Sequence, residues 1–214
     1  MFRSLFNRKK ANSVPEVAGL TIGRSVTIDP IELKLLGVDT LLEPPQTGFM
    51  ICAQGHCDLG EQSHLHRFYT DDDRYLLQIQ GGDGYEDDRV DEIVLWYAYD
   101  VQYPSRDADW NDLRTRQRQS RFDLQAETSS VAFKRAWFSH SDMVEDPMTY
   151  WEDVRETRDS AAPSRIFQTA MLFGRGLSDG RDEMLLVNLE EPEDGERSAS
   201  FLIGRVLPRH ALIT

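Results

Sequence analysis

Short apolar and aromatic runs follow one another between residues 49 and 101: FMICAQ, LHRFYT, RYLLQIQ and EIVLWYAYDV. They are separated by GHCDLGEQ, DDD and GGDGYEDDRVD, the polar and glycine-rich clusters that hairpin turns need. Runs of this length are too short for packed helices, and their turns are too close together for crossover helices. An antiparallel meander is what remains.

The second half repeats the theme with VAFKRAWF, RIFQTAMLFGRGL, EMLLVNLEE and SASFLIGRVL, and EPEDGERS is a strong turn signal. PMTYWEDVRE is ambiguous. Met148, Tyr150, Glu152 and Val154 fit a strand period, while Met148, Trp151 and Val154 fit a helix. Both halves set a glycine-rich acidic loop between hairpins, which points to a degenerate duplication with slight residue identity.

The expected fold is therefore β-rich α+β, with antiparallel sheets and hairpins in two related halves and a few short helices. GLTIGRSVTID alternates as a half-buried strand does. DPIELKLLG predicts a helix, with Asp29 as cap, Pro30 in the first turn and Gly37 beyond its end. SRDADWNDLRTRQRQ predicts another, capped by Asp107 or Asp109, with acids early and arginines late to match the helix dipole. Residues 1–16 read as a flexible basic arm. Residues 17–214 read as one β-rich unit with sub-halves 17–105 and 120–214.

Charge narrows the partners. The net charge is −13, yet residues 1–10 carry +4 through Arg3, Arg8, Lys9 and Lys10, which leaves −17 on the rest. An acidic body repels phosphate backbones, so no nucleic-acid partner is expected. In a helical arm, Phe2, Leu5 and Phe6 would share one face flanked by Arg3, Arg8, Lys9 and Lys10, the makeup of a weak interfacial anchor. A disordered tail is the reading favoured over this one. With two cysteines in 214 residues and no apolar run long enough to span a bilayer, the expectation is a cytoplasmic protein, peripheral at most to the inner membrane.

Motifs with chemistry are scarce. Cys52, His56, Cys57, His64 and His66 fall within 15 residues, but the C-x4-C spacing has no second arm, so no metal is expected. The acid-rich stretch 71–92 lacks the alternating oxygens and glycine of a calcium loop. Arg114, Arg116, Arg118 and Arg121 read as a solvated helix face, and His140 with Ser139, Ser141 and Asp142 as a loop. There is neither a phosphate loop nor a nucleophile elbow, so no cofactor and no catalytic residue are assigned, and an enzyme is the less favoured class.

The run His66-Arg67-Phe68-Tyr69 followed by Asp71-Asp72-Asp73 resembles the YjfK-like family of uncharacterised bacterial proteins. AQGHCDLG, DEIVLWYAYD, DADW and the MFRSLFNRKK…VPEVAGL opening are similar too, so the resemblance covers nearly the whole chain. It implies association with phage-shock-protein-A-like envelope-stress proteins, small membrane proteins and ATP-grasp ligases, and no catalytic residue. The function expected is a non-enzymatic adaptor at the cytoplasmic membrane face. The alternative is an enzyme, or a substrate of the ligase, with a pocket formed by His66, Arg67, Tyr69, Asp71, Asp72 and Asp73. On a strand, Arg67 and Tyr69 would share one face and His66 and Phe68 the other, with Phe68 in the core and Arg67 paired to one of the aspartates 71–73.

Overall fold

The computed structural model describes residues 13–35, 39–46, 48–126, 129–138, 141–159 and 162–214. Its strands are β1 (Ser25–Ile28), β2 (Phe49–Asp58), β3 (His64–Thr70), β4 (Tyr75–Gly81), β5 (Val90–Gln102), β6 (Arg121–Gln125), β7 (Ser130–Arg135), β8 (Met148–Arg155), β9 (Ser164–Gly176), β10 (Asp182–Pro192), β11 (Ser198–Val206) and β12 (Leu212–Ile213). Helices α1 (Pro30–Lys34) and α2 (Asp107–Gln117) interrupt them.

Eight of these strands close a ring. Antiparallel pairing runs β2-β3-β4-β5-β11-β10-β9-β8 and returns from β8 to β2. Closure removes the open edges that would otherwise template aggregation. Four of the ring strands precede α2 and four follow it. β1 and β12 extend the sheet from one end of β2, and the β6–β7 hairpin joins the far half of β9.

Strand alternation divides the wall into two surfaces. The outer surface carries the main apolar core, including Phe68, Leu77, Ile79, Leu95, Phe173, Leu185 and Ile203. α2 covers part of it with Trp110 and Leu113, the hairpin adds Phe122 and Phe133, and the N-terminal stretch adds Val17, Leu20, Val26 and Ile28. The lumen holds a smaller apolar set, Leu65, Leu76, Val94, Trp96, Leu186 and Leu202 among them, interleaved with polar groups.

Several expectations need correction. Residues 13–16, read as part of the arm, are packed where they are described: Val14 is buried and donates its N–H to the Arg158 carbonyl, and Gln54 donates to the Pro15 carbonyl. The strand read in GLTIGRSVTID is confined to Ser25–Ile28. At α2 neither aspartate caps: Arg106 holds the cap position, and Asp109 instead accepts from Arg106 at 2.8 Å. β2 runs through GHCD, where a turn is expected, and its Gly55 makes room for Glu152 from the adjacent strand β8. PMTYWEDVRE is a strand, and it is the one that shuts the ring. Among the described residues, no helix is long and apolar enough to cross a membrane.

Candidate functional site

β3 places Arg67 on the lumen side with Leu65 and Tyr69, one residue from the outward-facing Phe68. Both Arg67 and Phe68 are almost wholly buried. The guanidinium cannot reach water, so its bonds are made inside. Nη1 donates to Glu152 Oε2 at 2.7 Å, Nη2 to the Tyr150 hydroxyl at 2.6 Å and Nε to Gln78 Oε1 at 3.2 Å. Arg67 Cζ also lies 5.5 Å from the Tyr150 ring centroid.

Both oxygens of Glu152 are engaged as well. The Tyr69 hydroxyl donates to its Oε1 at 2.7 Å, and Gln168 donates to Oε2 at 2.8 Å. The network continues through Asn188, which donates to Gln168 and to Glu190, and Ser198 donates to the other oxygen of Glu190. Burial pushes the carboxyl of Glu190 up, and it pushes up the hydroxyls of Tyr69 and Tyr150, against which the Arg67 charge pulls. A Cβ at Gly55 would stand 1.8 Å from Glu152 Oε1, so only glycine lets this carboxylate lie against β2.

The pair bridges β3 and β8 over Gly55 of the intervening β2, and Arg67 borders two cavities of the lumen. On the side of the 71–74 turn lies a cavity of about 160 Å³, lined by Arg67, Tyr69, Asp73, Arg74, Asn188 and Glu190. On the other side a second cavity of about 160 Å³ is lined by Leu65, Arg67, Gln78, Val94, Trp96 and Leu186.

The residues singled out from sequence are therefore not one site. Arg67 and Tyr69 converge on Glu152. His66 faces the outer wall, where its Nε2–H donates to the Gly82 carbonyl at 2.9 Å. The expected pairing of Arg67 with the aspartates of the turn does not form, because Arg67 points into the lumen and its partner is 85 residues away. Asp71 accepts from the Met50 N–H, and Asp72 from Thr70 and the Arg74 N–H, so both hold the turn. Asp73 adopts φ 57° there, a conformation aspartate tolerates. Glu152 and Tyr150 were missed. Their signal was the period-two reading of PMTYWEDVRE, which puts both on one strand face.

The histidines stack on the outer wall. The His56 ring lies 5.2 Å from His64 and 5.1 Å from His66, and His56 Nε2 is 3.1 Å from His64 Nδ1. Burial pushes His66 down to about 4 and lowers His56 as well, with His64 adding to the latter. Both cysteines are free thiols. Cys57 is in the lumen, opposite Leu65 on β3. Cys52 is exposed and donates to the Thr70 carbonyl. Among the described residues, no group of three or more histidine, cysteine, aspartate or glutamate side chains is placed to hold a metal ion. The four arginines read as one helix face are divided: Arg114 and Arg116 lie in α2, where Arg116 covers Phe122, Arg118 follows the helix and pairs with Asp146, and Arg121 opens β6 and pairs with Asp123. Phe2, Arg3, Leu5, Phe6, Arg8, Lys9 and Lys10 lie outside the described residues, as do Ser139 and His140.

No solved structure matches the chain. Over 211 residues it is 26% identical to the uncharacterized protein YjfK of Escherichia coli (strain K12), covering 96% of this chain and 92% of that one. A family model described as "Protein of unknown function (DUF2491)" matches residues 1–212, and with nearly its whole length inside that match the chain belongs to this family.

Proposed function

We propose that the chain acts by binding, as a non-enzymatic accessory protein whose barrel is a frame and whose outer wall meets a protein partner. One observation carries this reading: every side-chain nitrogen of Arg67 and both oxygens of Glu152, the charged pair inside the barrel, are bonded to each other or to Tyr69, Tyr150, Gln78 and Gln168. A buried pair whose every polar atom already has a partner on a neighbouring strand holds strands together rather than facing a reacting substrate.

The wall of β8 and β9 supplies a surface of the kind partners use. Trp151 is 41% exposed and meets Phe167 edge-on at 5.2 Å, with Arg165 Cζ 4.5 Å above its ring. Exposed tryptophan and arginine anchor many interfaces. The partner class is the one the resemblance implies, a phage-shock-protein-A-like or small membrane protein, with the basic arm adding weak peripheral membrane contact. A pull-down from the native cell with the full chain as bait tests this. The expected result is stoichiometric capture of such a protein by the wild type and its loss with Trp151→Ser. Metabolite turnover by the purified chain, abolished by Glu190→Gln, would overturn the reading.

A second reading rests on the cavity beside the 71–74 turn, where Asp73 and Arg74 stand over the buried Glu190. It makes the chain an enzyme, or a modified substrate of an ATP-grasp ligase. The cavity is well below the roughly 300 Å³ at which drug-sized ligand pockets begin, which weighs against it.

A further inference from the structure

On the side of Arg67 away from the 71–74 turn, the lumen carries a donor with nothing to donate to. Trp96 is 2% exposed, its ring is packed against Gly204 on β11, and it lines the second cavity. Its indole N–H has no acceptor among the described protein atoms. A buried donor left unpaired costs stability that a phenylalanine at the same position would not. Gly204 accommodates the indole: a Cβ there would stand 2.2 Å from Trp96 Cζ3.

The cavity also has an approach from outside. Leu172 and Met184 line both it and a groove of about 800 Å³ where β7, outside the ring, pairs with the end of β9 beyond β8, beside β10 and β11. The groove floor is open: a Cβ at Gly176 would meet nothing within 4 Å, and one at Gly174 would meet the Glu183 carbonyl at 3.7 Å. The inner cavity sets Leu65, Val94, Trp96 and Leu186 beside Gln78 and Gln80. Arg67 is neutralised by Glu152, and the other charged lining residue, Glu92, is a carboxylate that repels an anionic tip. The groove outside has charged residues such as Arg181, Asp182 and Arg205 around its apolar floor. The inner cavity holds about five water-sized groups, so only the tip of a longer molecule enters it.

We infer that this half of the lumen is a binding site for a small neutral molecule. Its apolar body lies in the groove, and a carbonyl or hydroxyl oxygen at its tip accepts from the Trp96 indole. The site stands apart from the protein-partner surface on β8 and β9.

The test uses the full chain labelled with ¹⁵N, whose four tryptophans give separate indole signals, titrated with acetophenone, ethylbenzene and benzoate. Acetophenone is expected to shift the Trp96 indole signal downfield and to bind about tenfold more tightly than ethylbenzene, which lacks the acceptor. Benzoate, which brings a charge, is expected not to bind. Trp96→Phe, which keeps the ring, should remove the preference for acetophenone while ethylbenzene binds as before. Met184→Trp, which narrows the passage from groove to cavity, should abolish binding of both with the melting temperature kept. An unmoved Trp96 signal, equal affinity for acetophenone and ethylbenzene, or binding that survives Met184→Trp would overturn the proposal.

Discussion

Arg67 and Phe68 are neighbours on β3 and equally buried, yet they stabilise the barrel in opposite ways. Phe68 lies in the outer core among Leu77, Ile79 and Leu95, where contact is non-directional and each side chain adds its own area. Arg67 lies in the lumen, where each donor has one named acceptor and loss of any member leaves another unpaired. The wall that looks outward is thus the tolerant side. The wall that looks inward specifies one arrangement, because a slipped strand would leave charges buried alone.

Breaking the inner network is expected to have the largest effect. Arg67→Met leaves Glu152 as an unpaired buried carboxylate and should cost roughly 5 kcal/mol in denaturant unfolding. Adding Glu152→Met should recover most of it, since a buried pair replaced by apolar groups is often neutral. A double variant no more stable than Arg67→Met would show that the pair contributes more than mutual neutralisation.

Phe68→Ala on the outer wall should cost about 4 kcal/mol, and no second polar substitution should restore it. A melting temperature unchanged by Phe68→Ala would break the comparison at its other end.

The two surfaces should also answer pH in opposite directions. His66, on the outer wall, has its pKa depressed from the ordinary 6.5 to about 4 by burial. The unfolded chain therefore binds the extra proton first as pH falls. Stability from neutral His66 is fully present above pH 6.5 and is drawn down as pH falls through 4, by up to about 3 kcal/mol. Glu190, in the lumen, has its carboxyl raised by burial. Its contribution is present below the ordinary value of 4.5 and is lost as pH rises through its folded pKa. Melting curves from pH 4 to 8 should lose the acid-side slope in His66→Gln and gain stability near neutrality in Glu190→Gln. Parallel curves for both variants would remove the distinction.

The smallest effect belongs to the rim. Arg165 pairs with Asp153 at 3.1 Å with both side chains nearly half exposed, so Arg165→Ala should change stability by less than about 1 kcal/mol.

Much of the wall was readable from local pattern. Period two in LHRFYT sets Phe68 against Arg67 without any knowledge of partners. Asp29 accepts from the Ile31 N–H at 2.8 Å, as the DPIELK signal predicts. What misled was a residue doing long-range work. Gly55 resembles a turn glycine in GHCDLGEQ, but its missing Cβ serves Glu152 from another strand. RFDLQ, the short β6, is five residues long and, among the described residues, pairs with β7 alone, too little pattern to stand out.

The sequence by itself determined most of the ring strands, the facing of β3 and the helix cap at Asp29, because these follow from neighbours one to four residues apart. Tertiary structure alone decided that the meander closes, that β8 joins β9 to β2, and that the partner of Arg67 is Glu152. A buried guanidinium must find a carboxylate, but which one depends on the strand that closes the ring on the far side of β2. That is fixed by closure of the whole sheet, and no local stretch encodes it.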